Sequence, residues 1–447
     1  MPFPQSFLDE LMARSDIVDV VGSYVQLTRK GANLFGLCPF HSEKTGSFSV
    51  SPDKQIYYCF GCKRGGGVIN FIMEEENLSF PDAVRFLAKR AGMEVPEEDG
   101  DREAGRRRQR LLDLNRDAAR FYYQMLQQPE GRAVQEYLDR RKIRRATAVN
   151  FGLGASLDAW DALILAMTKK GYTKSELLEA GLAVQNRNGG LYDKFRNRLI
   201  FPVIDVRGDV VAFGGRVLDK SEPKYMNSQE TPVYSKRRVL YGLNLAKKSK
   251  RSNIILCEGN IDVVTLHQAG FDNAVASMGT ALTVEQTRLL SRFTKELVLC
   301  YDNDNAGKIA TERALEILNN SEFSVKVLQL PRRRTEDGEL VKQDADDFIK
   351  LQGKDAFEAL LTGSENGIEF RMAQVAGKYD LSSDEARVAY CEEVSALLAA
   401  LANPVEREIY TTRAAETAKI TPEAMRLEVQ RAFKRRLSRE KRQELRR

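Results

Sequence analysis

Residues 253–262 read NIILCEGNID: a short apolar strand, Asn253–Cys257, that breaks off on Glu258 and Gly259 and reaches a second acid at Asp262. Residues 296–304, ELVLCYDND, follow the same plan, with an apolar run Glu296–Tyr301 leading directly to Asp302 and Asp304. Ala274–Ser277 and Ser324–Leu330 are two further short apolar runs, and helical periodicity marks Asp262–Ala269, Thr283–Phe293 and Ala306–Asn319. Strands alternating with helices predict a parallel sheet with helices on its faces. In such sheets ligands bind beyond the carboxyl ends of the strands, which is where Glu258, Asp302 and Asp304 fall. Asp344-Ala345-Asp346-Asp347 follows the last strand after a loop and adds more acid.

Acids gathered at three strand ends repel one another unless cations intervene, and hard oxygen ligands suit Mg²⁺. A pair of such ions about 4 Å apart can hold a triphosphate and activate an attacking hydroxyl. Helix capping explains one Asp at each site, but a single cap does not need acids at both 302 and 304. Ala306-Gly307-Lys308 is not a P-loop, because Asp302 and Ile309 stand where that motif needs Gly and Ser or Thr. Cys257 and Cys300, each just ahead of an acidic motif, read as buried core. His267 reads as a packing or surface residue, and Trp160 shows no chemistry.

Towards the N-terminus of this segment, polar and basic residues crowd together. Arg196-Asn197-Arg198, Gly214-Gly215-Arg216, Lys224-Tyr225-Met226-Asn227-Ser228 and Lys236-Arg237-Arg238 form one stretch suited to clamping phosphates. Within it, the β-rich runs of Arg198–Val211 around Arg207-Gly208-Asp209 predict a hairpin. Further upstream, Cys38-Pro-Phe-His41 and Cys59-Phe-Gly-Cys62 are two x2 pairs separated by 17 residues. Three thiolates and an imidazole fill a tetrahedral Zn²⁺ site completely, so one structural zinc is expected. Phe48, Tyr57, Tyr58 and Phe60 interleave with Lys44, Lys54, Lys63 and Arg64, a mixture that can stack bases and hold phosphates of a single strand.

The remaining chain divides by pattern. Residues 3–27 have helical spacing, as does Phe80–Gly92, and 31–62 form a compact ribbon. Val95–Arg110, nearly devoid of apolar residues, predicts a flexible linker before a helical stretch from Leu111. Ile368 to Lys434 is almost wholly helical, and 434–447 is a basic tail. Overall the 447 residues carry 69 Lys and Arg against 63 Asp and Glu, a net charge of +6. That balance is only suggestive, but basic runs at 102–110, 140–145 and 434–447 together with a metal motif favour a nucleic-acid partner. Apolar residues at 43% supply real cores, six Cys are too few for a disulfide scaffold, and no apolar run reaches the roughly 18 residues of a membrane span. The first residues lack a signal peptide's pattern, which predicts a cytoplasmic protein.

Taken together, GLCPFHSEKTGSFSV and YYCFGC (36–50, 57–62), RNRLIFPV, VVAFGGRVL and PKYMNSQETPVYSK (196–236), and CEGNIDVV, YDNDNAGKIA and QDADDF (257–348) resemble the bacterial DNA primase family of the DnaG type. The resemblance spans residues 3–430 and keeps the family's order: zinc ribbon, basic core, Toprim metal site. It implies a multidomain α/β and α+β chain with a zinc-binding domain at 1–95, a linker at 96–110, and a basic mixed part of the RNA polymerase core at 111–250. A Toprim parallel sheet at 251–350, a helical subdomain at 351–433 and the tail at 434–447 complete it. It further implies synthesis of short RNA primers from ribonucleoside triphosphates on single-stranded DNA, by a monomer associated with the nucleoid.

On this likeness Glu258, Asp302 and Asp304 hold two Mg²⁺ ions, for which Mn²⁺ can substitute, and Asp262, Asp344 and Asp346 complete the acidic cluster. Arg198, Arg216, Lys224, Tyr225, Asn227 and Lys236 contact template and nucleotide, and Cys38, His41, Cys59 and Cys62 bind zinc. Gly46 stands where the family usually has Pro, and Asn260-Ile261 replaces an aromatic–Met pair. The family's C-terminal helical domain, which binds the replicative helicase, is expected to be missing here. A strand-cleaving Toprim enzyme and a non-catalytic single-strand binder are the alternatives. The first would need a large archway region for which the chain has no room. The second would gain nothing from Glu258, Asp302 and Asp304.

Overall fold

The fold is seen in a computed structural model that describes residues 3–444 apart from 42, 44–45, 77, 96–98, 220, 280, 320, 335–338 and 402. The chain forms two compact units, residues 1–324 with 329–359, and residues 325–328 with 360–447.

In the first unit, five short strands make an antiparallel sheet in chain order: Thr28–Lys30, Asn33–Gly36, Phe48–Ser51, Ile56–Cys59 and Gly65–Gly66. Strand alternation buries Tyr57 and Cys59 and turns Ile56 and Tyr58 outward. Phe48 stacks on Tyr57 at 5.3 Å, and Phe71 from the helix Val68–Glu75 meets both edge-on. The single helix expected over 3–27 is two, Gln5–Arg14 and Ile17–Gly22. Asp16 divides them by accepting hydrogen bonds from the Val18 and Asp19 N–H groups, a side-chain cap that starts a new helix.

The linker expected over 95–110 is also corrected. Residues 96–98 lie outside the described set, but Asp99–Gln127 is one 29-residue helix. Arg is a good helix former, and nothing from 99 to 127 is Pro. The polar half is held from outside: Arg107 pairs with Glu179, Arg110 with Glu176, and the Arg110 guanidinium lies 4.2 Å over the Tyr172 ring. The other half buries Leu111, Leu114, Ala118 and Tyr122.

Next comes a four-stranded antiparallel sheet in the order Tyr225–Asn227, Val210–Val217, Arg198–Ile204, Gly154–Ser156. The expected hairpin is present: Asp205 accepts from the N–H groups of Arg207, Gly208 and Asp209, and Gly208 takes the left-handed φ of +99°. The parallel sheet follows, with Asn253–Cys257 between Ala274–Ala276 and Glu296–Cys300. Cys257 and Cys300 pair in register and are buried. The helices Asn260–Ala269, Val284–Leu290 and Asn305–Leu318 return the chain. His267 is a packing residue, its ring edge-on to Phe151 and its Nε2 2.9 Å from the Ala274 carbonyl.

In the second unit, Lys326 and Val327 pair antiparallel with Asn366 and Glu365. Four helices, Gly367–Ala376, Asp384–Leu398, Pro404–Ala418 and Pro422–Glu444, then pack around Tyr390, Val394, Leu398, Ala414, Ala418 and Met425. Asn366, Ser383 and Asn403 cap the first three. No helix among the described residues is long and apolar enough to cross a membrane.

Candidate functional site

Turns at the ends of the two strands that flank Phe48–Ser51 bring the first metal site together. Cys38 and His41 follow the strand Asn33–Gly36, and Cys59 ends the strand Ile56–Cys59 just ahead of Cys62. One ligand atom from each of the four lies within 4.8 Å of the others. The Cys38 and Cys62 sulfurs are 3.8 Å apart. This matches the edge of a tetrahedron with Zn–S bonds of about 2.3 Å, for which about 3.8 Å is expected. His41 turns Nδ1 towards Cys59 Sγ at 3.7 Å and Nε2 towards Glu43 Oε2 at 3.3 Å. The donor set and spacing fit zinc, as the motif predicts. Tyr57 and Phe48 prove to be core rings, whereas Tyr58 and Phe60 are exposed and touch edge-on at 5.1 Å. Lys44 lies outside the described residues.

The acidic site sits beyond the parallel strands. Glu258 Oε1 accepts the Asp302 N–H at 3.0 Å, joining two strand ends. Burial and the neighbouring Asp302 and Asp304 push the Glu258 carboxyl above its usual range. Asp304 does cap the helix Asn305–Leu318, through Oδ1 and the Gly307 N–H at 2.8 Å, yet its Oδ2 remains directed at Lys342. That capping bond holds the Asp304 carboxyl below the ordinary range, with Lys342 adding to the effect. Lys342 Nζ bridges Asp302 Oδ2 at 3.0 Å and Asp304 Oδ2 at 3.1 Å. Gly307 is obligatory in this turn, because a Cβ would lie 1.9 Å from the Asp302 carbonyl oxygen and 3.0 Å from Glu258 Oε1.

The other three acids divide. Asp262 is buried and accepts the Asp346 N–H at 3.2 Å; burial, Asp344 and Asp302 raise its carboxyl well above the usual range. Asp344 is likewise raised, by burial and by Asp347 and Asp346, and it accepts the Asp347 N–H. Asp346 is different. Fully buried, it is bound by Thr265 Oγ1 at 2.6 Å, Arg141 Nη1 at 2.5 Å and Lys350 Nζ at 2.5 Å. Although Asp344, Asp346 and Asp347 lie within 4.8 Å of one another, the Asp346 oxygens are engaged by two cations and a hydroxyl. Glu258 and Asp302 meet through the Asp302 N–H, Lys342 holds one oxygen each of Asp302 and Asp304, and the repulsion among these three carboxylates is of the kind a divalent cation relieves.

Beside this site stands the basic sheet. Arg216 is buried between the rings of Tyr137 and Tyr225, 5.0 and 5.3 Å from its guanidinium carbon. Its Nε and Nη1 and the Tyr137 hydroxyl have no hydrogen-bond partner among the described residues. Arg198, also buried, donates to the Pro223 carbonyl at 2.9 Å. Asn227 donates to the Met278 carbonyl at 2.9 Å, and Asn260 packs where Gly214 leaves no room for a Cβ. The Lys224 ammonium lies over the Tyr225 ring. Lys194 is depressed by burial and by the nearby Lys236, so cations face each other here.

Sequence reading passed over several of these residues. Trp160, two-thirds exposed at 65%, carries the Arg196 guanidinium 3.6 Å from its ring centre, with Tyr192 on the same cation at 5.2 Å. Lys342, Arg141, Lys350 and Glu43 were also missed; only the charge of each was visible, not its partner.

Four family descriptions match the chain: "CHC2 zinc finger" at residues 3–103, "DNA primase catalytic core, N-terminal domain" at 121–247, "Toprim-like" at 255–349, and "DnaB-helicase binding domain of primase" at 368–423. The last overturns the expectation that a helicase-binding domain is missing: its helical pattern lies within the second unit, where sequence reading saw only part of the core. The DNA primase of Clostridium acetobutylicum is 41% identical over 425 residues, covering 94% of this chain and 69% of that protein. The DNA primase of Pseudomonas aeruginosa is 44% identical over 370 residues, 80% of this chain and 54% of its own length. Among solved structures, the zinc-binding and RNA polymerase domains of the Aquifex aeolicus primase match 94% of the chain and 98% of their own at 31% identity, with a TM-score of 0.58. A DnaG primase catalytic domain bound to single-stranded DNA matches 72% of the chain and 99% of its own at 32% identity, with a TM-score of 0.61.

Proposed function

The chain belongs to the DNA primase family, and from that premise we propose that it makes short RNA primers on single-stranded DNA at Glu258, Asp302 and Asp304. The observation that carries this reading is the joining of two strand ends by Glu258 and Asp302, with the Glu258 carboxyl raised by burial and by its acidic neighbours. Mg²⁺ held there, as a pair of ions, would stabilise charge on the phosphates and lower the pKa of the attacking 3′-hydroxyl. Asp262 and Asp344 stand beside these acids, and cations bound there would favour their ionised forms. Asp346 serves the architecture, since its charge is already balanced by Arg141 and Lys350.

The chain's own residues bind and orient. Arg216, desolvated and with free donors, suits a phosphate of the incoming nucleotide. Arg198, Lys224, Tyr225, Asn227 and Lys236 line the same sheet and its approach. Trp160 with Arg196 and Tyr192 offers a stacking surface for a template base, with Lys194 and Lys236 for its backbone. The exposed Tyr58 and Phe60 beside the zinc site extend that surface to a second part of the strand. The second unit is proposed to contact the replicative helicase through the segment 368–423. The protein is proposed to work as a cytoplasmic monomer.

Incubation with single-stranded DNA, ribonucleoside triphosphates and Mg²⁺ should yield short labelled RNA that disappears with Asp302→Ala or Glu258→Gln. Unchanged RNA synthesis in both variants would remove the metal assignment. Cut DNA in place of new RNA would make the chain a strand-cleaving enzyme.

A further inference from the structure

Glu43 lies two residues from His41 and five from Cys38, and its side chain is only 10% exposed. Four donors converge on its two oxygens. The backbone N–H groups of Cys38 and Ser47 reach Oε1 at 2.8 and 2.9 Å. The Ser47 hydroxyl reaches Oε2 at 2.5 Å, and His41 Nε2 stands 3.3 Å from the same oxygen. Ser47 Oγ is in turn 3.1 Å from the Gly61 N–H, which donates to it, and 3.3 Å from Cys59 Sγ. One carboxylate therefore ties the Cys38 turn to the Cys59 turn, with His41 between them.

From this convergence we infer that Glu43 is the outer-shell positioning residue of the zinc site, fixing His41 as an Nδ1 ligand by accepting the proton on Nε2. A histidine bound through Nδ1 carries its only proton on Nε2, and that N–H needs an acceptor. Every other group around Glu43 that faces an oxygen is also a donor, the Ser47 hydroxyl being the one that can turn away. A carboxylate satisfies all four. A glutamine of the same length cannot, because its NH₂ must confront either the two backbone N–H groups or the imidazole N–H. The motif spacing of Cys38 and His41 identifies the ligands but gives no sign of this requirement. The inference rests on the zinc assignment of Cys38, His41, Cys59 and Cys62, not on primer synthesis.

The test is zinc release from the full chain into excess chromogenic chelator, with zinc content measured first in each variant. Glu43→Gln should release zinc about 10- to 100-fold faster than the parent chain, the range for loss of an outer-shell partner. The same substitution made beside His41→Cys should change the rate by less than about twofold, because a thiolate ligand has no second proton to place. An equal acceleration in both backgrounds would mean that Glu43 only braces the turn and would overturn the inference, as would no acceleration in either. If Glu43→Gln is isolated without zinc, Co²⁺ reconstitution followed by the charge-transfer spectrum replaces the rate. A normal tetrahedral spectrum at the parent's affinity would refute the role, and weakened Co²⁺ binding restored by His41→Cys would support it. A parent chain that holds no zinc at all would instead remove the zinc assignment beneath it.

Discussion

Asp302 and Asp346 are both aspartates of the acidic cluster, yet their surroundings assign them opposite duties. Asp302 shares its space with Glu258 and Asp304 and pairs with the exposed Lys342, so removing its charge relieves repulsion at the cost of a solvent-screened ion pair. Asp346, itself fully buried, holds the half-buried Arg141 and Lys350, so removing its charge takes a hydrogen-bonded partner from both cations. Asp346→Asn should lower the unfolding free energy by about 1.5–3 kcal/mol, the range for losing hydrogen bonds to charged groups. Glu258→Gln should abolish RNA synthesis while the urea midpoint hardly moves. Urea titration of both variants checks the contrast, and equal stability losses would contradict it. None of this division is legible in the sequence. Arg141 and Asp346 are 205 residues apart, and a motif shows which acids are close in the chain, not which have been neutralised by a distant residue. The zinc ligands were legible because an x2 spacing is itself a geometry: two ligands on one turn.

At the scale of elements, local chemistry decides boundaries that periodicity alone blurs. The apolar spacing over 3–27 runs straight through Asp16, and only its hydrogen bonds to two N–H groups show that a helix begins there. The polar stretch at 99–110 lacks the apolar residues that mark a buried face, so it read as a linker. Its stability comes from Glu176, Glu179 and Tyr172, far along the chain. The parallel strands were legible because their apolar runs are short, flanked by helices and ended by acids. A cap supplied from another element leads to a pH test. Asp193, buried in the strand Leu191–Asp193, accepts the N–H groups of Leu163 and Ile164 at 2.7 and 3.0 Å and so closes the start of the helix Ala162–Lys169. Burial pushes its carboxyl up to about 6, opposed by those N–H bonds; Asp161 raises it further and Arg196 lowers it. Because the folded value exceeds the ordinary value of about 4, the folded state holds the proton more tightly. Stability from this group is therefore complete below pH ~4 and is lost as pH rises towards about 6. Urea midpoints from pH 4 to 7 should show that fall in the parent chain and a smaller one in Asp193→Asn.

For the whole molecule, two kinds of cohesion coexist. The zinc ribbon has a small core of its own around Phe48, Tyr57 and Phe71, held at one end by the metal ligands. Stripping zinc with a chelator should abolish the near-ultraviolet dichroism of those stacked rings and expose the ribbon to protease. The parallel sheet and its helices should remain folded, as hydrogen exchange would report. Loss of protection throughout residues 253–300 would show that the ribbon is not separable in this way. The region matched as primase core at 121–247 and the region matched as Toprim-like at 255–349 are bound differently. Arg141 belongs to the first and Asp346 to the second, so their ion pair crosses from one matched region to the other, as does the hydrogen bond from Asn227 to Met278. Recombination that exchanges one of these regions alone must therefore carry a matching charge on the other. Such pieces look interchangeable when aligned, but they are inherited as a single thermodynamic unit.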